Sequence, residues 1–342
     1  MKEFLKKMLR KFILKNFFYM PNWVFNLIPF FKAPSRRNQF LDNQSFVFLK
    51  LMPKIKFKEM SYEAIKKMRD LIIDRRTKYP ISEEIQNELK KTDHLIENKQ
   101  LTIREYEPEK IKSKKVILYF HGGGYVLNSI DTNDPMVSYF SEILGVKIFS
   151  LGYSLSPESK FPKATLEAES AFQWLIDQGY SCKDISLCGD SAGAHLAASL
   201  VHKLLEEKKS LPCNQFLIYP MCDPNCKSDS HKVLNDGYVL DQESMLWFWD
   251  KLKNSDDDLI DPKFNLLKIN KWDEMPKTII ITAGFDPLWD EAEDYASILL
   301  EMGADVKQFH YPGMFHGFVS MTKLHEPKAA VLDFLNEYKK IL

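Results

Sequence analysis

From about residue 93 the chain alternates between short apolar runs and longer amphipathic ones. LTIREYEP (101–108) switches between apolar and polar positions, as a half-buried strand does. KVILYF (115–120) is almost wholly apolar, the pattern of a strand covered on both faces. VKIFSLGYS (146–154), DISLCG (184–189), QFLIYP (215–220), KTIIITAG (277–284) and VKQFHYP (306–312) read as further strands. Residues 162–178, 192–207, 290–304 and about 326–341 carry helical spacing, with Phe172, Leu175 and Ile176 on the buried side of the first. Apolar strands separated by amphipathic helices form βαβ units. The pattern therefore predicts an α/β protein with a mostly parallel central sheet and helices on both faces. No internal repeat is visible. Residues 221–275 break the alternation: they are rich in Asp and Asn and enclose one helix containing MLWFW (245–249). They read as an insertion above the carboxyl ends of the strands, where open α/β sheets place their sites.

Upstream the texture differs. Residues 61–78 form a helix pattern, capped by Ser61, with Ile65, Met68 and Ile72 on one face and Pro80 beyond its end. Residues 1–18 are amphipathic: Phe4, Leu5, Met8, Leu9, Phe12 and Ile13 against Lys2, Glu3, Lys6, Lys7, Arg10 and Lys11. The aromatic stretch FFYMPNWVFNLIPFF (17–31) follows. Four readings compete for this arm. It fits an element lying in a membrane interface, docking residues 1–31 on an anionic surface. Next to that stands a reading in which the aromatics pack on the body as part of a lid. A signal peptide lacks a clear small-residue cleavage site, and a spanning helix is interrupted by Lys15, Asn16, Pro21, Asn22 and Asn26.

Composition narrows the classes. The 342 residues include 24 Phe, 14 Tyr and 6 Trp with a formal net charge of zero, which excludes intrinsic disorder. That zero hides an asymmetry: residues 1–41 hold nine basic residues and one acid, a net of +8, so the rest carries −8. An acidic body does not suit a nucleic-acid binder. Five cysteines (182, 188, 213, 222, 226) form an odd set without a C-x-x-C pair, and Cys222 and Cys226 lack neighbours at zinc spacing. Free thiols in a reducing, cytoplasmic setting are expected, with no metal site.

Chemistry enters through two glycine-rich turns. Gly189-Asp190-Ser191-Ala192-Gly193 follows an apolar strand and opens a helix, which is the setting of a nucleophile elbow. The tight turn projects the Ser191 hydroxyl above the sheet at a helix N-terminus. His121-Gly122-Gly123-Gly124-Tyr125 directly follows KVILYF. Glycines there leave backbone N–H groups free to meet a developing oxyanion, each such donor being worth roughly 3 kcal/mol of barrier. A serine hydroxyl needs a base, and the base needs an acid to orient it; in this sheet class the chain order is Ser, then Asp or Glu, then His. Asp286 in GFDPL and His316 in GMFHGF both follow strand ends. His195 and His202 lie on the helix after the elbow, His310 lies inside a strand, and His325 lies beside the last helix. His94 and His231 read as surface groups, and His121 as a structural support of its loop.

Taken together, HGGGY (121–125), YSLSPESKFP (153–162), GDSAG (189–193), FDPLWDE (285–291) and HGF (316–318) resemble the hormone-sensitive-lipase family of α/β-hydrolases, which includes carboxylesterases and arylacetamide-deacetylase-like enzymes. The resemblance covers about residues 60–342. It implies an α/β-hydrolase fold with a helical cap, Ser191 as nucleophile, His316 as base and then acid, and Asp286 as its orienter. It implies oxyanion donors at Gly123, Gly124 and Ala192, and substrate contacts from Tyr125, Trp247, Phe248 and Trp249; core packing alone would also account for the last three. It divides the chain into an extension (1–42), N-terminal cap helices (43–90) and a catalytic domain (91–342) with a cap insertion at about 221–262. Two departures stand out: Ala194 replaces a glycine after the elbow, and Ser154 replaces the arginine of the Tyr-Arg-Leu-Ala-Pro-Glu stretch. The expected activity is hydrolysis of carboxylic esters, esterase- or lipase-like, on apolar or membrane-associated substrates, without a cofactor. Two alternatives remain: a deacetylase or amidase on the same site, and a receptor that uses the pocket without turnover. Relatives often dimerise through the last strand region, so a homodimer stays open.

Overall fold

The computed structural model describes residues 16–27, 33–52, 55, 57, 60–78, 80–85, 89–96, 100–269, 272 and 274–342. The expected helix at 1–18 and part of the aromatic stretch lie outside the described residues. Eight strands form one sheet: β1 (Lys90–Ile96), β2 (Leu101–Glu107), β3 (Val116–Phe120), β4 (Lys147–Gly152), β5 (Ile185–Asp190), β6 (Asn214–Ile218), β7 (Lys277–Phe285) and β8 (Val306–Phe315). Their spatial order is β8-β7-β6-β5-β3-β4-β2-β1. From β8 to β4 every neighbouring pair is parallel, and the β4–β2 and β2–β1 pairs are antiparallel. The fold is thus the mostly parallel α/β sheet expected from the pattern.

Ten helices accompany it among the described residues: α1 (Asn22–Leu27), α2 (Asn43–Leu51), α3 (Tyr62–Lys78), α4 (Ile130–Leu144), α5 (Lys163–Asp177), α6 (Ala192–Glu206), α7 (Asp229–Val233), α8 (Gln242–Leu252), α9 (Trp289–Glu301) and α10 (His325–Lys339). Side chains leave a strand on alternate faces, so a wholly apolar strand feeds two cores at once. Strand β3 does this: Val116, Leu118 and Phe120 join a core with α5, α6 and α9, while Ile117 and Tyr119 join one with α4 and α10. Both faces are therefore covered, as a parallel sheet requires.

Two elements escape the hydrophobic pattern. Strand β1 is KKTDHLI, too polar to read as a strand; it forms because it is the sheet edge and pairs with β2 along its whole length. Helix α4 contains Pro135, which breaks the helical reading, but Ser129 caps it with a reciprocal Thr132 pair and Gly145 closes it at φ 69°. The segment 221–275 holds two helices, α7 and α8, rather than one.

The aromatic arm divides. Phe17 and Phe25 are buried, their rings 5.2 Å apart, and Phe17 lies 6.1 Å from Phe48 of α2. The Gln44 amide donates to the Phe17 carbonyl, and the His325 ring pairs with the Met20 carbonyl. Tyr19 and Trp23 point the other way, 84% and 61% exposed. Among the described residues no helix is long and apolar enough to cross a membrane. All five cysteines are free thiols, as expected.

Candidate active site

Ser191 stands between β5 and α6 with φ 54° and ψ −119°, a backbone that a side-chain-bearing residue rarely adopts. Its N–H is held by the Ile218 carbonyl at 2.9 Å. The two motif glycines are required by space rather than by φ. A Cβ on Gly189 would sit 2.3 Å from the Gly193 carbonyl carbon, and one on Gly193 would sit 1.9 Å from the Phe120 oxygen. Strand, turn and helix therefore approach backbone to backbone. Gly193→Ala is expected to lower stability by about 3 kcal/mol or more, because only backbone shifts can relieve the clash. Urea denaturation checks this, and an unchanged midpoint would contradict it.

The Ser191 hydroxyl lies 3.0 Å from His316 Nε2, and His316 Nδ1 lies 2.7 Å from Asp286 Oδ2. A carboxylate only accepts, so Nδ1 carries the proton and Nε2 receives the serine O–H. Asp286 is fully buried, and its other oxygen accepts the Leu288 N–H at 2.9 Å. The Tyr219 ring packs on His316 with centroids 4.5 Å apart. Each member arrives from a different strand end: Ser191 after β5, Asp286 after β7, His316 after β8. Three residues separated by up to 125 positions thus meet in one unbroken chain.

The second turn lies against the first. Gly122 N–H donates to Asp190 Oδ1 at 2.8 Å, and Tyr119 O–H donates to the same oxygen at 2.5 Å. Asp190 thus fastens the HGGG turn to the elbow, a role the sequence pattern does not announce. Burial pushes its carboxyl above the ordinary range, opposed by those two hydrogen bonds. Gly123 and Gly124 have φ 123° and 62°, and the Gly123 carbonyl accepts the N–H groups of Val126 and Leu127. The N–H groups of Gly123, Gly124 and Ala192 make no hydrogen bond with any described residue, leaving three unspent donors at this turn. His121 supports the turn as expected: it stacks on Tyr153 at 4.3 Å, and Tyr153 O–H donates to its carbonyl at 2.6 Å. Among the described residues no group of side chains is arranged to hold a metal ion.

A family model described as the alpha/beta hydrolase fold matches residues 117–320. The chain belongs to the α/β-hydrolase family. Similar proteins include the ethyl acetate hydrolase of Pseudomonas putida, 31% identical over 66% of this chain and 74% of that one. The arylesterase of Saccharolobus solfataricus is 30% identical over 78% of this chain and 87% of its own length. The hyperthermophilic esterase of Pyrobaculum calidifontis superposes with a TM-score of 0.77 at 27% identity, covering 87% of this chain and 96% of its own. The resemblance to the hormone-sensitive-lipase branch of the α/β-hydrolases holds.

Within this hydrolase the expected pocket aromatics fall into two groups. The Phe248 ring lies directly on Gly124, where a Cβ would approach it to 2.2 Å. Phe57 packs on Trp247 and Phe248 at 5.2 and 5.0 Å. Tyr125 and Trp249, also expected beside substrate, are packed around His195 instead. Tyr125 O–H donates to His195 Nδ1 at 2.6 Å, and the Trp249 ring meets His195 edge-on at 5.2 Å. His195 Nε2–H in turn donates to the Phe264 carbonyl at 2.9 Å. Seven residues on, His202 Nδ1–H donates to the Pro262 carbonyl and its Nε2 accepts Tyr295 O–H, both at 2.8 Å. Two neutral histidines on one face of α6 thus pin residues 262–264.

Burial lowers His121, His195 and His202 from an ordinary 6.5 to about 4. Between these values the unfolded chain binds protons that the folded chain refuses. Stability from these groups is therefore complete above pH 6.5 and lost as pH falls toward about 4. The thermal midpoint should be flat from about pH 7 to 8 and drop by more than about 5 °C by about pH 4.5; a flat profile would contradict the neutral-histidine account.

One sequence expectation is corrected. His231 is fully buried, not a surface group; its Nε2 meets Glu291 Oε2 at 2.8 Å, and Glu291 also accepts the Cys222 N–H at 2.7 Å. A polar neighbourhood in sequence concealed a buried pair made across 60 residues. His94 is half-buried beside Glu105. Arg69 of α3 grips both Glu158 oxygens, at 2.7 and 2.9 Å, and also bonds the carbonyls of Val126 and Ser156. Ser154 itself bonds Glu167 through both N–H and hydroxyl.

Proposed function

We propose that this hydrolase cleaves carboxylic esters through an acyl-enzyme on Ser191. His316 takes the serine proton as Ser191 attacks the ester carbonyl. The tetrahedral oxyanion is met by the N–H groups of Gly123, Gly124 and Ala192, at the positive end of α6. Collapse expels the alcohol, protonated by His316, and leaves the acyl group on Ser191. Water, deprotonated by His316, then attacks the acyl carbonyl; Ser191 leaves with the proton, and the acid is released. Asp286 keeps His316 in the tautomer this needs and stabilises the imidazolium that forms.

The carrying observation is the continuous hydrogen-bond chain from Ser191 through His316 to Asp286. Ester hydrolysis is the activity named for its relatives. The same chain speaks against a receptor without turnover, which has no use for an aligned base. Phe57, Trp247 and Phe248 beside the glycine turn favour an apolar acyl group, and helices of segments 43–90 and 221–262 are the natural cap. The test is turnover of p-nitrophenyl esters from acetyl to palmitoyl, with matched anilides to compare ester against amide. Activity peaking at one acyl length supports the reading. No turnover by folded protein at any length would overturn it.

A membrane-associated substrate is a finer proposal, carried by the exposed rings of Tyr19 and Trp23 beside a basic arm. Replacing both, Tyr19→Ser with Trp23→Ser, should weaken sedimentation with anionic vesicles several-fold. Unchanged sedimentation would remove the docking claim.

A further inference from the structure

The catalytic acid and base each stand one residue past a paired position. Phe285 of β7 pairs with Phe315 of β8, and Asp286 and His316 follow directly. Just before that pair the ladder slips. Tyr311 pairs with Ala283, so Pro312, Gly313 and Met314 all stand opposite Gly284. An irregularity of this kind re-aims the residues after it and interrupts the ladder that would fix them. Where His316 sits relative to Asp286 therefore depends on what holds the irregular stretch.

A hairpin from the N-terminal segment packs there. Ser35–Arg36 pairs with Gln39–Phe40, and the turn residues Arg37 and Asn38 take φ 50° and 59°, the left-handed pair of a tight type I′ turn. Gln39 reaches into the slip: a Cβ on Gly284 would lie 1.8 Å from Gln39 Oε1 and 2.3 Å from the Pro312 carbonyl oxygen. The Gln39 amide meets His310 Nε2 of β8 at 2.9 Å, and His310 Nδ1 meets the Thr282 hydroxyl of β7 at 2.8 Å. Past the hairpin, Asp42 N–H donates to the Gly313 carbonyl at 3.3 Å. Arg37 holds the loop of the acid. Its guanidinium bonds Asp290 at 2.6 Å and lies 4.0 Å from the Trp289 ring, which stacks on His310 at 4.4 Å. The other Asp290 oxygen accepts the Ser230 N–H at 2.7 Å, and Trp289 N–H donates back to the Asp286 carbonyl at 3.1 Å. The hairpin thus touches both strand ends at the place where they stop holding each other. It lies outside residues 117–320, which carry the family match.

From these contacts we infer that the hairpin and its continuation to Asp42 set the separation of Asp286 and His316, with Arg37 and Gln39 as positioning residues. On the ester-hydrolase reading, on which this rests, they are the residues that keep the base aligned. Neither touches the reacting atoms. One ion pair and one side-chain bridge stand in for the interrupted ladder, so that Asp286 Oδ2 stays 2.7 Å from His316 Nδ1. A misplacement of about 1 Å at such a pair costs on the order of 100-fold in rate. The hairpin does not bind substrate, so the loss belongs in kcat.

The test is steady-state hydrolysis of the p-nitrophenyl ester that wild type turns over best. It uses full-length Arg37→Ala, Gln39→Ala and the double variant, each shown by circular dichroism to be folded at the assay temperature. The double variant should lose about 10- to 100-fold in kcat with KM within about threefold of wild type. Arg37→Lys, which keeps a cation within reach of Asp290, should recover most of what Arg37→Ala loses. An unchanged kcat in folded variants, with only the thermal midpoint lowered, makes the hairpin structural cover and overturns the inference. A loss confined to KM overturns it too, because it places the hairpin in the substrate pocket. Should the double variant not fold, the single variants decide by the same split. Failure of the ester reading itself looks different: wild type then turns over no ester. In that case the low-field proton resonance of His316 Nδ1–H, assigned by its loss in His316→Ala, decides. It should shift or broaden in the double variant, and an unchanged resonance sinks the positioning role.

Discussion

Ser191→Ala should lower kcat on a p-nitrophenyl ester by about 10⁴- to 10⁶-fold while leaving the thermal midpoint nearly unchanged. The size follows from the role: without Oγ no acyl-enzyme forms, and what remains is binding and oxyanion stabilisation around an ordinary water. The fold should tolerate the change because the elbow is held by backbone, not by the hydroxyl. The Ser191 N–H to Ile218 contact and the glycine approaches to Phe120 survive the substitution. Relief of crowding at φ 54° is not offered by alanine, so no large gain in stability is expected either. Steady-state kinetics with a thermal scan of both proteins decides the matter. Activity within about tenfold of wild type would mean that the nucleophile lies elsewhere.

Asp286→Asn is the second large effect, roughly 10⁴-fold in kcat. Asp286 is fully buried and holds His316 Nδ1–H at 2.7 Å. An amide nitrogen in place of that carboxylate oxygen donates rather than accepts. His316 would then turn its Nδ1 lone pair to the new amide and its proton toward Ser191, the wrong tautomer for a base. The Leu288 N–H, which bonds the other oxygen at 2.9 Å, still finds an acceptor in the amide carbonyl, so the loop should keep its shape. The loss should fall in kcat far more than in KM. A variant that loses less than about tenfold, with His316 still in place, would remove Asp286 from the mechanism.

The parts of this protein visible in its sequence share a physical property: they are local. Strand β3 is apolar on both faces and β5 runs into a turn whose glycines must be glycines, so neighbouring residues alone announce them. Asp286 and His316 were visible because each follows a strand end in a sheet whose chain order is fixed by topology. What stayed hidden depends on partners far away in sequence. Asp190 reads as a spacer inside GDSAG, and only the fold brings Gly122 and Tyr119 to its carboxylate, 68 and 71 residues away. His231 lies in a polar stretch, and its burial comes from Glu291 of α9. Arg69 grips Glu158 from a helix 89 residues upstream, which no local pattern encodes. Strand β1 exists through its pairing with β2, against the polarity of KKTDHLI. The aromatic arm shows both outcomes at once, with Phe17 and Phe25 packed and Tyr19 and Trp23 left in solvent, because a single stretch carries residues for two faces.

The most direct test of the account is covalent. Wild type would be treated with a fluorophosphonate, a phosphorus electrophile that an activated serine attacks with loss of fluoride, and then read by intact mass and peptide mapping. The account predicts one adduct per chain, on Ser191, formed in step with loss of esterase activity and absent from Ser191→Ala. Full inactivation with the label on another residue, or turnover that persists once Ser191 is fully labelled, would contradict it.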